Sequence, residues 1–315
     1  MCSMKKLLIA MTLGLAACGN ADDGSAAAGG DTSDSVWAQP TPAEGYTRFE
    51  PQAVEVAPGE DSTYCQWLTA PAEADMDIMD ITGEQPFPAH HAILAATLVE
   101  APVGTTKPCS EVDQASTKLL GGVGGEGSAS AFPKGAVLRL RKGESLLMNT
   151  HYLNTTTEKV TGRAMLDVKF EAPSPDHVVA SFFTNVTVKY QILPQSTATA
   201  EAKCVLPRDV ALIEFTNHMH EFGSKVHTEE IRAGGETVDL RRDETWAYEW
   251  QFNPPRERWT VDAPHVLKAG DTLRTQCTWN NPGTETLTFP REMCVGAGFM
   301  LGEQDVNCVD GEWRE

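Results

Sequence analysis

Eight histidines occur in the 315-residue chain, and five of them fall in three compact settings: His90-His91, His151 and His218-x-His220. Clustered imidazoles suit metal binding, because each neutral ring offers one nitrogen as a ligand. The stretch TNHMHEFG is the most readable. If Ile213 to Phe222 is a strand, side chains alternate faces: Ile213, Phe215 and Met219 point one way, and Glu214, Thr216, His218 and His220 the other. Two imidazoles then stand on one polar face, close enough to chelate one ion. Chance produces many H-x-H pairs, but with the apolar partners on the opposite face these two are poorly explained as core filling. His90-His91, in FPAHHAIL, needs an irregular backbone for both rings to reach one metal, and Pro86 and Pro88 favour such an irregularity. His151, in LLMNTHYLN, lies between apolar residues, as a ligand or as a hydrogen-bonded histidine inside a sandwich. Met293, in REMCVGAGF, would ordinarily be core; on a strand its face is opposite that of Cys294. His177, His227 and His265 are read as surface or satisfied polar residues. The sequence shows no G-x-S-x-G elbow and no conspicuous Ser/His/Asp or carboxylate-dyad signature.

The elements that must position these side chains are predicted to be strands. From Tyr46 onward, short runs of β-branched and aromatic residues alternate with Pro, Gly and Asn: Ala164 to Phe170, Val178 to Ile192, Val210 to Phe222, Thr272 to Trp279, Glu285 to Phe289 and Val295 to Leu301. No long segment keeps a helical period, so the expected class is all-β, with two tandem antiparallel β-sandwich, jelly-roll-like domains. The polar segment Glu171 to Asp176 carries two prolines and marks the boundary, giving domains at 45–173 and 174–315. Gly121 to Gly127 lacks a following helix pattern and a phosphate-loop lysine, and is read as a flexible loop.

The opening MCSMKKLLIAMTLGLAAC has the form of a signal segment, 1–17, too short in its apolar run to span a bilayer. Leu15-Ala16-Ala17-Cys18 resembles a bacterial lipobox, which makes Cys18 the acylated N-terminus of an exported protein. Residues 18–44 form a tether rich in Gly, Ala, Ser and Asp. Gly19, in place of an aspartate, points to the outer membrane or cell surface, with the membrane touched only through the lipid. Loss of Lys5 and Lys6 moves the formal charge from −19 to −21, so nucleic acid is an unsuitable partner. Six cysteines remain beyond Cys2 and Cys18: Cys65, Cys109, Cys204, Cys277, Cys294 and Cys308. An even number in an exported chain suggests three disulfides, and the absence of a C-x-x-C pair argues against zinc-thiolate.

In order, HH, H, H-x-H and an M-C pair resemble the copper type II, ascorbate-dependent monooxygenases, over roughly Gly45 to the C-terminus. The gaps of 60, 67 and 73 residues (His91 to His151, His151 to His218, His220 to Met293) are similar to the family's. So are TYC before the histidine pair, a cysteine 18 residues after His91, FPKGAVLRL before THY, GDTLRTQCTWNN and REMC. The resemblance implies two coppers. One, held by His90, His91 and His151, stores an electron; the other, held by His218, His220 and Met293, activates O2. It also implies hydroxylation of an unactivated C–H bond of a small-molecule substrate, with ascorbate or another one-electron reductant. Imidazole with one thioether is a soft donor set that accommodates Cu(I). The resemblance departs at Thr216 and Ala297, where peptide-processing members carry an arginine and a tyrosine that hold the substrate's carboxylate, and at Asn149, where the family has glutamine. A peptide C-terminus is thereby disfavoured. The cysteines are expected to pair Cys65–Cys109, Cys204–Cys308 and Cys277–Cys294, and the protein to be a monomer. The rival functions are a non-catalytic copper-binding lipoprotein on the same scaffold and a β-sandwich interaction module.

Overall fold

A computed structural model describes residues 39, 41–110, 113, 117–124, 133–251, 253–289 and 291–315. The signal segment 1–17, Cys18 and the tether as far as residue 38 lie outside the described residues. The described residues from 41 onward form one compact unit whose regular elements are nearly all strands.

One long sheet runs through the unit. Its order is Tyr46–Phe49, Met165–Glu171, Met76–Glu84, Val137–Leu140, Val179–Thr187, Cys294–Leu301, Val210–His218 and Arg256–Arg258, with further short strands at its edges. The N-terminal part of this sheet is covered by a five-stranded sheet: Thr106–Pro108, Asp61–Trp67, Ser145–Leu153, Ala89–Thr97 and Thr117–Gly124. Ile78, Ile81, Leu138 and Leu166 of the long sheet pack there against Leu94, Leu120, Leu146 and Met148. The C-terminal part is covered by a four-stranded sheet, Ser196–Val205, Thr272–Asn281, Gly223–Ile231 and Thr237–Asp243. Phe183, Leu212, Phe215 and Met300 meet Cys204, Leu240 and Leu273 in that second core. The architecture is all-β, with two sandwich cores on one shared sheet. The proline-bearing segment after Glu171 passes between the strands Met165–Glu171 and Val179–Thr187, where the long sheet crosses from one core to the other.

All three expected disulfides are formed, Cys65–Cys109, Cys204–Cys308 and Cys277–Cys294, which fits an exported protein or an oxidising compartment. No helix among the described residues is long and apolar enough to cross a membrane.

Three strand expectations need correction. Gly121 to Gly124, read as part of a flexible loop, belong to the strand Thr117–Gly124, while 125–127 lie outside the described residues. Glycine is required there by close approach, since a Cβ on Gly122 would strike the Ala92 carbonyl oxygen of the neighbouring strand. The strand expected over Val210 to Phe222 stops at His218, and Glu221-Phe222 is a turn. The runs to Ile192 and over Glu285 to Phe289 reduce, in that region, to a single bridge between Ile192 and Leu287.

Candidate metal centres

The first cluster is a row across three adjacent strands. On Ser145–Leu153, Leu146 and Met148 enter the first core, so His151 points to the outer face, the one that carries Leu147. This settles the alternative left open by its apolar neighbours: the ring is not inside the sandwich. His91 is paired with His151 across the ladder, and their ring centroids lie 5.2 Å apart. The register shifts between Ala89 and His91, so His90 is the extra residue of a bulge. That is the irregularity the adjacent histidines required. On the other side, Thr63 is the cross-strand partner of His151, and Asp61, two residues earlier, shares its face. The Asp61 carboxylate Oδ1 accepts a 2.5 Å hydrogen bond from His151 Nε2.

The second cluster sits at the end of a strand. Phe215 and Met219 are buried in apolar clusters and His218 and His220 are half-exposed, as expected, but Ile213 does not share the Phe215 face: the register shifts between Leu212 and Glu214, and Ile213 packs in the first core. Glu214 departs from the expected polar face: it is buried, and Arg256 and Arg258 across the ladder pair with it. The His218 and His220 ring centroids are 5.0 Å apart at 84°. His218 is the ladder partner of Val295, and both strands end at or just beyond this pair, so His220 and Met293 each follow two residues past it, outside the ladder. Hydrogen bonds join the two segments there. His220 Nδ1 donates to the Arg291 carbonyl at 3.1 Å, and the Glu292 carboxylate accepts from the backbone N–H of His220 at 3.2 Å and of Phe222 at 2.8 Å. Further along the same ladder Gly298 lets the two strands approach at Glu214 and Phe215, since a Cβ there would meet the Glu214 carbonyl oxygen. Cys294, bonded to Cys277, pins the residue after Met293 into the interior.

Desolvation by the surrounding protein pushes His91 and His218 each down to about 3, with His151 adding to the effect at His91 and His220 at His218. His220 is lowered by the same cause, against the opposing hydrogen bond to Arg291. These rings are therefore neutral at physiological pH, the state in which imidazole binds a metal. Burial raises Glu292 to about 7, opposed by the amides of Phe222 and His220. The clusters are near neighbours: His218 lies within electrostatic reach of His91, and His220 within reach of His151 and Asp61.

The three remaining histidines have carboxylate partners. His177 bonds Asp77 at 2.8 Å, His265 bonds Glu230 at 3.2 Å, and His227 bonds Asp239 at 2.8 Å. His227, Glu229 and Asp239 converge closely enough to hold an ion, but Arg274 already pairs with Glu229 and Arg242 with Asp239, which offsets their charge.

Residues 178–296 match the family model for the copper type II ascorbate-dependent monooxygenase, C-terminal domain. The C-terminal part of the chain is thus similar to that family's domain. His218, His220 and Met293 lie inside the segment matched to the copper monooxygenase domain; His90, His91 and His151 precede it. No curated relative matches the chain. Among solved structures it is similar to the major capsid protein P2 of bacteriophage PM2, with a TM-score of 0.31, 10% identity, and 82% of this chain and 98% of that one covered. It is also similar to PNGase F, a glycosylasparaginase from Flavobacterium meningosepticum, with a TM-score of 0.34, 10% identity, and 83% and 97% covered. Likenesses at these scores carry no argument for either fold or function.

Asp61 and Glu292 are the site residues that sequence reasoning missed. Their partners lie 90 and 70 to 72 residues away, and two of the three are backbone amides, which no spacing rule reports.

Proposed function

We propose that the chain is a monooxygenase that hydroxylates a C–H bond of a small organic substrate, using O2, two coppers and an external one-electron reductant such as ascorbate. The observation that carries this reading is the pair of neutral imidazole clusters within electrostatic reach of one another, one of them inside the segment matched to the family's domain. Copper fits the residues present. Three of the rings are desolvated and uncharged, Nε2 of His151 and Nδ1 of His220 are held by protein acceptors, and Met293 adjoins Glu292, which binds the His220 backbone. His90, His91 and His151 would hold one copper, and His218, His220 and Met293 the other. Bound copper would supply the electron transfer and oxygen activation for the hydroxylation.

The chain's own residues do the positioning. The bulge at His90 sets the spacing of the first pair, and the Arg291 carbonyl engages Nδ1 of His220, so that Nε2 is the nitrogen that would be left to a metal. Glu292 ties the end of the His218 strand to the segment carrying Met293. Thr216, whose hydroxyl donates to the Pro255 carbonyl, and Ala297 offer no fixed charge to a substrate carboxylate. A terminal carboxylate is accordingly not expected to be required.

Cys18 is proposed as a lipidated N-terminus that attaches a monomeric protein to the outer membrane or cell surface. A Cys18→Ser variant should lose lipid labelling and become soluble; retained labelling contradicts the assignment. For the activity, the copper-loaded protein is given ascorbate and a panel of small C–H substrates while oxygen uptake is followed. Substrate-dependent uptake with hydroxylated product is the expected result. Copper reduction with no oxygen use for any substrate would leave a copper-binding lipoprotein instead.

A further inference from the structure

Asp61 opens the strand Asp61–Trp67 and lies diagonally across the ladder from His151, on the same outer face. Its side chain is 56% exposed and that of His151 20% exposed, so the carboxylate reaches over the ring from solvent. The 2.5 Å contact fixes the donor: an ionised carboxylate only accepts, so His151 Nε2 carries the proton. Nδ1 of this ring is then the nitrogen that would be left to a metal, opposite to the choice at His220, where Nδ1 is the donor. Asp61 also lies within electrostatic reach of Arg291 and His220. A carboxylate behind a metal-bound imidazole fixes the ring's tautomer and raises its basicity, and losing such a partner typically costs about 10–100-fold in metal affinity.

We propose, resting on the copper reading above, that Asp61 is the positioning residue of the first copper, orienting His151 through Nε2 and favouring the oxidised state of that metal. The exposure of Asp61 means that solvent screens its longer-range field, so the hydrogen bond carries most of the effect.

The test uses full-length, copper-loaded protein in wild-type, Asp61→Asn, Asp61→Ala and His151→Ala forms, followed by redox titration with electron paramagnetic resonance and by competition with a Cu(I) chelator. Asp61→Asn keeps an acceptor and loses the charge, so both coppers should stay bound while the potential of one rises. Asp61→Ala should weaken one copper by about 10–100-fold and leave the other unchanged. Wild-type potentials and affinities in both Asp61 variants, alongside a His151→Ala protein that loses one copper, would overturn the role of Asp61 alone. A His151→Ala protein that keeps both coppers, or a wild-type protein that holds none, would overturn the copper reading and the inference with it.

Discussion

The two histidine clusters are built by different means. The first is spread over the face of a sheet, with His91, His151 and Asp61 on three neighbouring strands, and its ring His151 is oriented by a side-chain carboxylate. The second lies where a strand ends, and its ring His220 is oriented by a backbone carbonyl while Glu292 holds the turn. A site on a sheet face inherits its geometry from strand register. A site at a strand end needs separate ties to hold the departing chain, here a disulfide next to Met293 and a buried carboxylate. Damage to either kind of support should therefore be felt by one cluster only.

The largest effect is expected from removing the tie beside Met293. Replacing Cys277 and Cys294 together by alanine opens a 17-residue separation, which should cost about 3 kcal/mol in denaturant unfolding. The second copper should weaken and the first remain. Equal loss from both sites would erase the contrast. The matching change in the first region is Gly122→Val, whose side chain would press on the Ala92 carbonyl and move the strand that carries His91. A cost of about 1–3 kcal/mol is expected, with copper lost from the first cluster alone.

A smaller effect should follow from Glu292→Ala, which frees the His220 and Phe222 amides. Affinity at the second site should fall by about 10–100-fold, as measured by Cu(I) chelator competition. An equal fall at the first site would show that Glu292 serves the fold and not the cluster.

The contrast also explains what was legible in the sequence. Alternation placed His218 and His220 opposite Phe215 and Met219, and the adjacent histidines called for the bulge found at His90, because both follow from local backbone rules. The end of the strand at His218 did not show, since the apolar and β-branched pattern runs past it and a buried carboxylate 70 or more residues away sets the turn. The glycines at 121–124 looked like a loop because nothing local reveals that a neighbouring carbonyl fills the place of a Cβ. Glu214 is buried against expectation because two arginines arrive from a separate strand.

Acid should act on the metal-free protein through both clusters. His91 and His218 have folded values near 3, below the ordinary 6.5, so the unfolded chain binds more protons between those limits. Their contribution is neutral above about pH 6.5, and stability should fall as the pH drops through that window. Glu292, raised to about 7, has the opposite sign: the stability it contributes is fully present below its ordinary value of 4.5 and is lost as the pH rises towards 7. Thermal unfolding of metal-free wild type and His218→Gln between pH 4 and pH 7 checks this, with a shallower acid loss expected in the variant. The smallest expected change in stability is Met293→Leu, which preserves volume and should cost less than about 1.5 kcal/mol. Cu(I) affinity at the second site should nonetheless fall, and the thioether signal in X-ray absorption should disappear.

The most direct test of two separate centres is the ratio of copper to protein after loading and dialysis, compared among wild type, His151→Ala and His218→Ala. Two coppers in wild type and one in each variant is the expected result. A variant that keeps both, or a single substitution that empties both, would contradict the division of the histidines into two metal centres.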